Sequence, residues 1–157
     1  MGLFSKGKAK KMADEGFAFH QARDYARAEA CYREAIQIHP PFAEAHFRLA
    51  ELLLEHNRIA EAEKEYDRAI RCAPEVGEYH CGLAELYHRI GQKEKAEKEY
   101  LRSIELKPQY VIAHINLGTM YRDSGRFGEA KKVWDQAYAT TLDPALKQEI
   151  MRKLRGE

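Results

Sequence analysis

The residues most able to do chemistry in this chain of 157 are seven histidines, three cysteines and a large stock of carboxylates. Near neutral pH a histidine serves as general base or metal ligand, and a thiolate as nucleophile or soft ligand. Cys72, His80 and Cys81 are the best zinc candidates, but a fourth ligand is missing and no Cys-x-x-Cys spacing occurs. No metal and no cofactor are therefore expected. No serine or cysteine stands in a recognisable nucleophile setting, and no glycine-rich loop opens a helix to cradle phosphate. The chain is not expected to be an enzyme. Three of the histidines have another explanation: His46, His80 and His114 are spaced by 34 residues, and such a column is a packing position before it is a catalytic one.

The same shift of 34 aligns the rest of the chain with itself. Leu49, Leu83 and Leu117 form one column, Tyr32, Tyr66, Tyr100 and Trp134 another, and Pro40, Pro74 and Pro108 a third. Three columns hold only small residues: Gly16, Ala50, Ala84 and Gly118; Ala28, Ala62, Ala96 and Ala130; Ala35, Ala69, Ser103 and Ala137. The units are 9–42, 43–76, 77–110 and 111–144, behind a basic flexible tail over 1–8 and ahead of a last segment over 145–157. Within a unit the apolar residues recur at steps of three and four, which is helical, and a short polar break separates two halves. Gly91 and Gly125 suit a left-handed residue that ends a first helix, and each proline closes a second helix. Each unit reads as a helical hairpin whose small columns let two backbones approach closely beside a large aromatic.

Hairpins of this length carrying Leu117-Gly118, Tyr121, Gly125, Phe127, Ala130, Trp134 and Ala137, and again Ala28, Tyr32, Ala35 and Pro40, resemble tetratricopeptide repeats. Two edge positions depart from the pattern: Glu15 stands in the apolar column of Leu49, and Leu142 replaces the last proline. Terminal repeats tolerate such changes. After Asp143-Pro144, a cap and a first helical residue, Leu146, Ile150 and Leu154 form one stripe, which predicts a capping helix over 145–155. The resemblance implies an all-α, right-handed superhelical solenoid of four hairpins, with first helices lining a concave groove and second helices forming the back.

Projecting the first helices puts Phe17, His20 and Gln21, then Glu44, Phe47, Glu51 and Leu54, then Glu78, Cys81, Glu85 and His88, then Ile112, Ile115, Thr119 and Arg122 on the groove. Phe17, Phe47 and Ile115 offer apolar anchors, and Glu51 and Glu85 recur one repeat apart. With His20, His88 and Arg122 these are the expected contacts for a peptide segment of another protein, apolar with some basic character. One subgroup of the family clamps the C-terminal carboxylate of heat-shock chaperones with Lys, Asn and Arg on successive first helices. In this sequence Ala13, Phe17, Arg48, Glu51 and Gly82 fall near those places, and only Arg48 and Asn116 are compatible, so an acidic chaperone tail is not an expected ligand. A self-associating scaffold built through the terminal hairpins, or a co-chaperone-like assembly factor, are the alternatives.

The net charge of +1 conceals an uneven distribution. Residues 1–11 carry four lysines and no acid, residues 12–144 carry 18 basic and 23 acidic residues, and residues 145–157 carry four basic and two acidic ones. An acidic body repels phosphate, so specific nucleic-acid binding is not expected. No run of residues reads as a membrane span or secretory signal, and unpaired cysteines suit a reducing compartment, so the expected location is the cytoplasm.

Overall fold

The computed structural model describes residues 2–157, with side chains from Phe4 onward. Among the described residues there are nine helices and no strand: α1 (Gly2–Gln21), α2 (Tyr25–Ile38), α3 (Ala43–Glu55), α4 (Ile59–Cys72), α5 (Gly77–Arg89), α6 (Lys93–Leu106), α7 (Val111–Asp123), α8 (Phe127–Thr140) and α9 (Pro144–Arg155). The helices are rich in Ala, Glu, Lys, Arg and Leu, the residues that lose least on entering a helix. The chain divides into two compact units, Met1–Glu75 with α1 to α4 and Val76–Glu157 with α5 to α9.

In the first unit α1 packs on α2 and α3 on α4, and α3 also touches α2 and α1. Ala28, Tyr32, Ala35, Leu49, Ala50, Ala62, Tyr66 and Ala69 are buried here. In the second unit α5 pairs with α6 and α7 with α8, and α9 closes on α8. Its core joins Ala84, Ala96, Tyr100, Leu117, Met120, Trp134 and Ile150, with Leu146 and Leu154 packed against it. Asp143 caps α9 by accepting from the Ala145 amide at 2.8 Å, with Pro144 as the first helical residue.

Residues 2–8, expected as a flexible tail, are helical and open α1. The reason is visible further along the helix: Ala9 and Ala13 are buried in one cluster with Ala35 and Ala45, which anchors α1 early. The lysines before them are good helix formers and extend it outward. Met1 lies outside the described residues.

Every first helix ends on a left-handed residue: Arg23 at φ 61°, Asn57 at 58°, Gly91 at 78° and Gly125 at 74°. The next amide turns back onto the helix, as Arg58 N–H does to Leu53 O at 2.8 Å and Arg126 N–H to Tyr121 O at 2.8 Å. Glycine adopts this conformation without a Cβ clash, whereas arginine does not. Arg23→Gly is expected to raise stability by about 0.5–1 kcal/mol in thermal unfolding, and Gly91→Ala to lower it by a similar amount.

Candidate functional site

In the first unit the α1–α3 face gathers Phe17, His20, Phe47, Arg48, Glu51 and Glu55. The Arg48 guanidinium lies 5.0 Å from the Phe17 ring centroid and 5.7 Å from that of Phe47. Arg48 Nη1 donates to Glu51 at 3.2 Å, and His20 Nε2 meets the Glu55 carboxylate at 3.0 Å. Burial pushes the Glu51 carboxyl above its ordinary range, with Arg48 and His20 pulling against it. A desolvated carboxylate of this kind gains most from an added cation. Beneath the face the Tyr32 hydroxyl is buried with no hydrogen-bond partner, and burial pushes its pKa up to about 12.

Phe17 is 42% exposed and open to a ligand, but Phe47 is half-buried, with its ring 5.9 Å from that of Tyr66. Leu54 is buried and does not line an accessible face. Glu55, which sequence projection passed over, joins Glu51 because residues four apart share a helix face.

In the second unit Glu85 and His88 of α5, Asn116 and Thr119 of α7, and Tyr100 of α6 line a polar cleft of about 260 Å³. His88 Nε2 stands 4.0 Å from the Asp123 carboxylate. Arg122 is committed to Asp123 at 2.9 Å, with its guanidinium 6.0 Å from the Trp134 ring. Ile115, expected as an exposed anchor, is 5% exposed and belongs to the core. Its carbonyl accepts from Trp134 Nε1 at 3.2 Å, so the α7 backbone there is covered by α8. Cys81 is buried as well, and Ile112, at 46% exposure, is the open apolar residue of α7.

The histidine column is more than packing. His46 Nδ1 bonds the buried Glu65 at 2.6 Å and its Nε2 meets Pro40 O at 2.9 Å; His80 Nδ1 bonds Glu99 at 2.7 Å. Both nitrogens of His46 are engaged, which leaves neither to move a substrate proton. His114 instead bonds the Tyr110 carbonyl at 3.2 Å, because Val133 occupies the place of those glutamates. The signal was a second column 19 residues downstream, reading Glu65, Glu99 and Val133. Among the described residues no group of three His, Cys, Asp or Glu side chains is placed to hold a metal, and no helix is long and apolar enough to cross a membrane.

Two family models, each described as tetratricopeptide repeat, match residues 19–80 and 77–110. No match to a curated protein sequence is significant. Among solved structures, TTC0263, a thermophilic TPR protein in Thermus thermophilus, is 20% identical, with 93% of this chain and 80% of that one covered and a TM-score of 0.80. A crystal structure of MamA is 18% identical over 95% of this chain and 83% of that one, at a TM-score of 0.75. The first TPR of Spaghetti (RPAP3), bound to the HSP90 peptide SRMEEVD, is 19% identical over 76% of this chain and 95% of that one, at a TM-score of 0.72. These likenesses give the fold: an all-α helical-repeat solenoid.

Proposed function

Because this chain belongs to the tetratricopeptide-repeat family, we propose that it is a noncatalytic adaptor whose first helices hold a peptide segment of a partner protein, apolar with some basic character. The observation that carries this reading is Glu51, a half-buried carboxylate pushed toward its protonated form by burial, beside the exposed ring of Phe17. A lysine or arginine of the ligand would add to the partial compensation that Arg48 gives Glu51, and an apolar neighbour would cover Phe17. In the second unit Glu85, with His88, Asn116 and Thr119, offers a polar cleft for the same kind of segment. The cytoplasm is the setting that suits Cys31, Cys72 and Cys81, none of which forms a disulfide.

Selection of short peptides from a random display library on the wild-type chain and on a Glu51→Lys/Glu85→Lys variant tests the reading. Wild type is expected to enrich Lys or Arg flanked by apolar residues, and the variant to lose that enrichment. Identical selected sets from both proteins contradict it. The acidic peptide SRMEEVD is expected to show no saturable binding to wild type, since Glu51 and Glu85 repel it.

A further inference from the structure

The last helix carries a second, unrelated surface. Counting from the N-cap aligns the first helices of three hairpins with α9: Phe42, Val76, Tyr110 and Asp143 are the caps. Four places on stand His46, His80, His114 and Lys147; eight places on stand Ala50, Ala84, Gly118 and Met151. At His46, His80 and Gly118 these places face the second helix of their own hairpin. Glu65 and Glu99 of the second helices bond His46 and His80, and Trp134 lies against Gly118. The other side of α9, Leu146, Ile150 and Leu154, is packed into the core just as Ala113, Leu117 and Tyr121 of α7 are.

On α9 the second-helix seat is open. Tyr138 and Met151 are each 38% exposed, and with Lys147, Gln148, Arg152 and Arg155 they line a cleft of about 360 Å³. The Lys147 ammonium lies 5.2 Å from the Tyr138 ring centroid, and Arg155 is held by Glu157 at 2.9 Å. The floor is thus apolar, an aromatic ring and a thioether, and all three charged residues lining the cleft are cationic.

We infer that this cleft is a docking site for an acidic amphipathic helix of a partner protein, laid along the face of α9 that a second helix takes on a first and held further out by the Met151 side chain. The chain's own hairpins specify what such a helix carries. Glu65 precedes Tyr66 and Glu99 precedes Tyr100; the glutamate meets the residue four past the cap, and the aromatic column packs against the small-residue column, as Trp134 does against Gly118. On α9 the glutamate would meet Lys147, and the aromatic would lie on Met151, whose sulfur makes favourable contacts with ring edges. A further acid would face Arg152.

The probe is a helix-stapled, fluorescein-labelled peptide with the 14-residue sequence of α4, Ile59–Cys72, carrying Cys72→Ser. Stapling removes the cost of forming so short a helix. Fluorescence anisotropy is expected to show saturable binding to the wild-type chain, weakened at least about tenfold by Lys147→Glu/Arg152→Glu. A peptide with Glu65→Lys is expected to lose affinity for wild type and regain it on Lys147→Glu. The protein variants keep Ile150, so their melting temperatures should match wild type, and Glu51→Lys/Glu85→Lys should bind the α4 peptide normally, which separates this site from the groove. Equal binding to wild type and Lys147→Glu/Arg152→Glu overturns the inference. Tighter binding of a 20-mer oligonucleotide or of phosphatidylserine vesicles than of the peptide overturns it in favour of those anions. A concentration-dependent dimer that Lys147→Glu abolishes replaces the partner helix with a second copy of this chain.

Discussion

Gly118→Ala is expected to destabilise the chain by about 1–3 kcal/mol, the usual cost of overfilling a packed core. A Cβ built at Gly118 collides with the Trp134 indole around Nε1 and Cδ1. The ring has little room to withdraw: Nε1 donates to Ile115 O at 3.2 Å, and Ala130 and Ala137 are buried in the same core cluster. Alanine does stand in this column elsewhere, at Ala50 and Ala84, but there the aromatic of the hairpin is a tyrosine, Tyr66 or Tyr100. Trp134→Tyr should therefore rescue Gly118→Ala, and a double-mutant cycle measured by urea unfolding is expected to give a favourable coupling of about 1 kcal/mol or more. Strict additivity of the two changes would show that the column is not set by this contact. Gly16→Ala meets Tyr32 carbons at 2.8 and 2.9 Å, and its phenol, having no hydrogen bond to keep, can shift more cheaply.

Removing the glutamate beneath His46 is the second large effect. Glu65 is 7% exposed, bonds His46 at 2.6 Å and accepts from Arg68 Nη1 at 2.6 Å. Glu65→Ala leaves a buried ring nitrogen unpartnered and should cost about 2–4 kcal/mol, with Glu65→Gln less damaging because an acceptor remains. Burial pushes the Glu65 carboxyl up, but the His46 bond and Arg68 outweigh it, and the net shift is downward from 4.5. Glu29 and Glu78 are likewise lowered against their burial, by Arg33 and Arg58 and by Lys107, and Glu97 is lowered chiefly by Arg126. A carboxyl lowered by folding stabilises fully above its unfolded value and loses that contribution as pH falls through the folded one. Wild type should therefore melt progressively lower below about pH 4.5, and Glu65→Gln should show a shallower decline. Parallel acid profiles for the two proteins would mean that Glu65 is not part of this linkage.

Much of this fold was legible because it repeats. Spacing placed the hairpin turns, and Gly91 and Gly125 announced left-handed ends; Arg23 and Asn57 hold the same conformation without announcing it, since only their alignment with the glycines marks them. Periodicity also identified the face of each first helix, but a helix in a hairpin array has two packed faces. Ile115 reads as a groove anchor by projection and is in fact beneath α8, because its neighbour Gly118 draws Trp134 close. The His46–Glu65 and His80–Glu99 pairs join residues on opposite helices of a hairpin, so no single-helix projection reveals them. The lysines near the start looked like a tail because their sequence is polar; burial of Ala9 and Ala13 decides otherwise.

The most direct measurement is the affinity of one basic, apolar peptide from the display selection for wild type, Glu51→Gln and Glu51→Lys, read by isothermal titration at low and at physiological salt. If Glu51 is the cation-seeking group of the groove, Glu51→Gln weakens binding several-fold, Glu51→Lys weakens it by about tenfold or more, and added salt narrows these differences. Equal affinity across the three proteins, with unchanged melting temperatures, would contradict an acidic peptide groove on this chain.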